Sequence, residues 1–77
     1  MTETMVMNGW SNWETHNVAY FLQNDWEFYS VALTCGDYRE FLAAIADSNV
    51  GLTTPDGVPW FSSAINHAEI DSMIEAF

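Results

Sequence analysis

Seventy-seven residues carrying eleven acids, one arginine and no lysine give a formal net charge of -10. Such a chain is repelled by phosphate backbones and anionic lipid surfaces, which excludes direct nucleic-acid binding and electrostatic attachment to a membrane. A lone cysteine, Cys35, excludes an intrachain disulfide and any Cys-x-x-Cys ligand set and fits a reducing cytosol.

The start, "MTETMVMNGW", has no basic region followed by an apolar run, so the expectation is a soluble intracellular protein without a leader. Disorder is disfavoured because 49% of residues are hydrophobic and 16% aromatic. The acids are ordinary in number for this length, and the missing bases are the anomaly. Residues 1–8 lack periodicity and are expected to be flexible, with Met5 to Met7 available as a cap or edge strand; residues 9–77 are expected to form one domain.

The first helix is predicted from about Asn12 to Gln23. Ser11 and Glu14 read as a capping box, and Trp13, Val18, Phe21 and Leu22 read as a buried face. Asn24-Asp25 breaks it and caps a second helix, Trp26 to Cys35, which Gly36 should end in a left-handed conformation. Asp37, with Glu40 three residues on, opens a third helix that carries Phe41 inward and ends near Asp47. Pro55-Asp56-Gly57 is a turn, and Val50 to Thr53 and Val58 to Trp60 flank it as a short hairpin or as an ordered loop with Trp60 and Phe61 plugged into the core. Asn66, with Glu69, opens a fourth helix to about Ala76. The fold class is therefore mainly α, with a small α+β arrangement as the alternative: a compact bundle of three to four short helices with a turn-rich loop or hairpin around 50–60.

Chemistry is sparse. Cys35 lies at a helix end, away from the N-terminus that would lower its pKa, so it reads as packing. His16 and His67 each stand two residues from a glutamate, whereas a helical metal pair needs a spacing of three or four. The four glycines are isolated and form no phosphate loop. Neither an enzyme nor a cofactor nor a metal is expected.

What the charge favours is a partner protein with a basic groove or patch, which an acidic chain would meet as a nucleic acid does. In that reading Asp25, Glu27, Asp37, Glu40, Asp47, Glu69, Asp71 and Glu75 supply the charge. The bland reading is that several of these acids merely offset helix dipoles at N-termini and keep the chain soluble. Twelve aromatics are too many for so small an interior. Trp10, Trp26 and Trp60 are the candidates for partial exposure at a protein interface or a homodimer contact.

Asn8 to Thr15, followed by Asn17-Val18-Ala19 and Asn24-Asp25, resembles the opening of a group of small phage proteins, many from cyanophages, that share a pattern like N-G-W-x-N-[YW]-E-T-x-N-V-A. Thr54 to Trp60, "TPDGVPW", is similar to a second block of that group, and the two blocks span about a third of the chain. This chain has His16 where relatives often have a third aromatic, and Trp26 where they often have an acid. The resemblance implies an accessory protein made in the cytoplasm of an infected bacterium that binds and blocks a host factor. Nucleases, CRISPR effectors, restriction enzymes, RNA polymerase and nucleoid proteins are typical targets of such proteins.

Overall fold

The structure, a computed structural model, describes residues 10–48 and 51–77. The expected flexible segment 1–8 and Val50 of the expected hairpin lie outside the described residues. The chain is mainly α: α1 (Trp13–Asn24), α2 (Trp26–Ala32), α3 (Tyr38–Ala46) and α4 (His67–Glu75). Among the described residues the only β pairing outside a regular strand is one antiparallel bridge, Thr53 to Pro59.

Each helix begins on a short polar side chain that accepts one of the amide hydrogens a helix start leaves unpaired. Asn12, Asp25, Asp37 and Asn66 fill these places, accepting from Thr15, Glu27, Glu40 and Glu69. The first corrects the Ser11 capping box. Asn12 Oδ1 accepts the Thr15 amide at 2.8 Å while its Nδ2 donates to the Ala64 carbonyl at 2.6 Å. A serine hydroxyl on one rotor cannot reach in both directions, so the amide side chain wins the cap. Asp25 alone joins α1 to α2: its amide donates to the Phe21 carbonyl and its carboxylate caps the next helix.

The second helix is shorter than predicted. Thr34 and Cys35 donate to Val31 and Ala32, tightening the chain into a turn after Ala32. Gly36 is not the left-handed stop expected of it, since among the described residues the positive-φ glycines are Gly51 and Gly57. Its amide donates to Glu40 Oε1 at 2.7 Å, and a Cβ placed there would stand 3.4 Å from that oxygen. Glu40 thus closes its capping box one residue earlier than the usual geometry, on Gly36.

Trp60 sits at the centre of the core, fully buried. Its ring lies 4.9 Å from Phe28 and 5.3 Å from Phe41, centroid to centroid. Tyr38 stacks on Phe41 and donates its hydroxyl to the Trp60 carbonyl at 2.7 Å. Burial pushes the Tyr38 phenol well above its ordinary pKa. Val18, Leu22, Ile45 and Ile70 complete this interior.

The turn 54–57 delivers Trp60 to that position. Gly57 donates to the Thr54 carbonyl and carries φ of 93°, and Thr54 and Val58 pair at 2.8 Å. Trp60 then donates to the Leu52 carbonyl at 3.1 Å. The segment is a minimal hairpin that inserts one tryptophan; Phe61, expected beside it, is 54% exposed, in the turn that Ser62 closes by donating to the Pro59 carbonyl. Trp13 is also outside the core, 42% exposed. It shares the outer stripe of α1 with Tyr20, seven residues on and two turns away, opposite Val18 and Leu22.

Candidate functional site

Of the eight acids expected to face a partner, five are bonded to backbone amides of the domain itself. Asp25 accepts from Glu27, Asp37 from Glu40, and Glu40 from Gly36. Glu69 reaches the Ser11 amide at 2.9 Å and Asp71 the Tyr38 amide at 2.8 Å. Those last two carboxylates pin α4 to the chain before α1 and to the start of α3. Glu27, Asp47 and Glu75 are exposed, and no bond of this kind holds them among the described residues. The acids able to turn fully to a partner therefore lie on α2 and at the ends of α3 and α4.

The two sequence blocks that carry the phage-protein resemblance meet in space, and their polar groups bond to one another or to the start of α4. Asn17 is buried on α1 and donates Nδ2 to Asp56 Oδ2 at 2.7 Å. The Thr54 hydroxyl donates to Asn17 Oδ1 at 2.7 Å and accepts from the Val58 amide. Thr15 Oγ1 accepts the Asn66 amide at 2.8 Å, and Asn66 Nδ2 donates to Ser11 Oγ at 3.0 Å. Buried polar groups are costly unless paired, and these are paired across 37 to 55 residues of sequence. This joint holds the hairpin and α4 against α1; its hydrogen bonds are consumed by the fold.

The aromatic candidates divide. Trp60, expected to be partly exposed, is fully buried, because the hairpin drives it between Phe28 and Phe41. Trp10 is half-buried and packs against the core. Trp26 is 71% exposed, the most open large apolar side chain described. Its ring lies 5.9 Å from Tyr29, and Tyr29 lies 5.2 Å from Phe77 in an edge-to-face pair. Sequence reasoning missed Phe77 as a surface group and half-buried Tyr29 as the ring that links it to Trp26. The available signal was the three-residue spacing of Trp26 and Tyr29, which places both on one side of α2.

Cys35 is half-buried and its Sγ donates to the Val31 carbonyl at 3.3 Å. His67 is exposed and sets its ring edge-on to Tyr38 at 4.9 Å. His16 is half-buried, with Nδ1 enclosed and without a hydrogen-bond partner among the described residues. Among the described residues there is no pocket and no cluster of three or more His, Cys, Asp or Glu placed to hold a metal ion. No helix among them is long and apolar enough to cross a membrane.

Fold and surface together define a small, acidic, mainly helical protein whose open features are carboxylates and aromatic rings. The chain belongs to a family of unknown function, DUF7249, whose profile matches residues 2–77. No curated protein and no solved structure matches it.

Proposed function

We propose that this protein acts by binding, without catalysis, to a positively charged partner protein, which it inhibits or modulates. The observation that carries the reading is the imbalance of eleven acids against Arg39 as the one basic residue besides the histidines. Capping and tertiary bonds explain why many of the acids are where they are, but they give no reason for the missing lysines, which are good surface helix formers. A surface with so little positive charge presents an unbroken negative field, and that field steers it toward a basic groove. The finer version is that of a phage accessory protein acting in the cytoplasm of an infected bacterium. There it would occupy the groove of a nucleic-acid-binding host factor, such as a CRISPR, restriction, polymerase or nucleoid protein, as a mimic of DNA.

The test is affinity purification from host lysate followed by titration of the captured partner. Binding that weakens steeply as salt rises and is displaced by duplex DNA supports the mimic reading. A partner held equally well in molar salt and in the presence of DNA removes it. A second reading, a structural or homo-oligomeric component, is favoured by the contiguous rings of exposed Trp26, half-buried Tyr29 and exposed Phe77. Sedimentation separates the two, since a chain that stays monomeric at high micromolar concentration counts against self-association.

A further inference from the structure

The ring array of Trp26, Tyr29 and Phe77 has close by in sequence two of the three expected partner-facing acids that the fold leaves unbonded, Glu27 and Glu75. At about 100° per residue, Glu27 projects to one side of Trp26 and Tyr29 to the other. Phe77, against which Tyr29 packs, follows Ala76, the cap of α4, whose last residue is the exposed Glu75. Each end of the array thus has an exposed carboxylate close by in sequence, Glu27 next to Trp26 and Glu75 two residues before Phe77. Five of the eight expected partner-facing carboxylates are turned back onto backbone amides; these two are not.

We infer that this surface is the contact for arginine side chains of a basic partner protein, with a guanidinium stacked on Trp26 or Tyr29 and paired with Glu27 or Glu75. The inference rests on the binding function proposed above and names where and how it occurs. Charge selects the occupant. A second copy would bring a further net charge of -10 and a second Glu27 and Glu75 against the first pair, and the lone Arg39 supplies little to offset them. An uncharged apolar segment would leave both carboxylates unpaired as the interface dried. A guanidinium satisfies both halves of the surface, because its plane stacks on an aromatic face while its edge donates to a carboxylate.

The probe is a synthetic arginine-rich peptide, titrated into the full chain at low salt by calorimetry, with the indole N–H signals followed by NMR. Trp26→Ala should weaken binding about tenfold, and Glu27→Gln with Glu75→Gln by a comparable factor. Asp47→Asn and Trp13→Ala remove an exposed acid and an exposed ring elsewhere and should change it less than about twofold. The indole signal that Trp26→Ala deletes should be the one that moves most. If the wild type binds but all variants weaken in proportion to charge alone, the protein remains an acidic binder and this surface is not its contact. If the wild type does not bind the peptide at all, the proposed function falls with it. A concentration-dependent dimer dissolved by Trp26→Ala would overturn the inference in favour of a second copy.

Discussion

At the start of α1, Ser11, Asn12, Thr15 and Asn17 each bond to the segment 54–69, whereas along α2 the side chains of Trp26 and Glu27 face solvent. Both regions carry aromatic, hydroxyl and carboxylate groups, so those residue types do not tell them apart. The difference lies in what stands opposite. α1 faces a hairpin and the start of α4, which supply donors and acceptors at matched positions. Among the described residues no element covers Trp26 on the outer side of α2. Polar groups brought together by the fold become structure, and those left at its edge remain free for a partner.

The sharpest way to break this contrast is to exchange the roles of its two tryptophans. Trp60→Ala should cost about 3–5 kcal/mol, because a fully buried ring leaves a cavity among Phe28, Phe41 and Tyr38. That is a large share of the roughly 4–12 kcal/mol expected for a domain of this size. Urea denaturation followed by circular dichroism measures it. A loss below about 1 kcal/mol would mean that the core is organised differently.

Asn17→Ala comes next, with an expected loss of about 2–3 kcal/mol, because it strands Thr54 and takes a donor from Asp56 in a partly buried network. The same urea curves report it. A neutral result would show that the joint is ornamental and that the two sequence blocks need another explanation.

Tyr38→Phe should cost about 1 kcal/mol near neutral pH, through the lost bond to the Trp60 carbonyl. It also has a pH signature. The folded phenol is held protonated above its unfolded value of about 10, so the associated stability is complete below that pH. It is lost as pH rises from there toward the raised folded value, at about 1.4 kcal/mol per pH unit. Unfolding midpoints at pH 8 and at pH 11 should therefore fall further apart in the wild type than in Tyr38→Phe.

The smallest effect belongs to the other region: Trp26→Ala should leave stability within about 0.5 kcal/mol. A thermal midpoint shifted by many degrees would show that this ring holds α2 in place and would erase the contrast.

The helix starts were legible in the sequence because capping is decided within about three residues. Asp25 caps where the Asn24-Asp25 break places it, Asp37 and Asn66 where their spacing to Glu40 and Glu69 does, and the start the sequence missed is the contest between Ser11 and Asn12. The contest was settled by Ala64, a partner 52 residues away. Pro55-Asp56-Gly57 was legible as a turn for the same local reason. Of the candidate site, the sequence pointed to Trp26 and to an excess of acid, but it could not sort bonded carboxylates from free ones.

What the sequence by itself determined was therefore the charge, the helix starts and the turn, each set by composition or by neighbours a few bonds apart. Only the tertiary structure decided that Trp60 goes inside while Trp26 stays out. It also decided that Glu69 and Asp71 are bound across 58 and 33 residues while Glu27 and Glu75 stay free. Burial and long-range bonding depend on which surfaces the folded chain sets face to face, and in a bundle of short helices that follows from how the helices and the hairpin pack together.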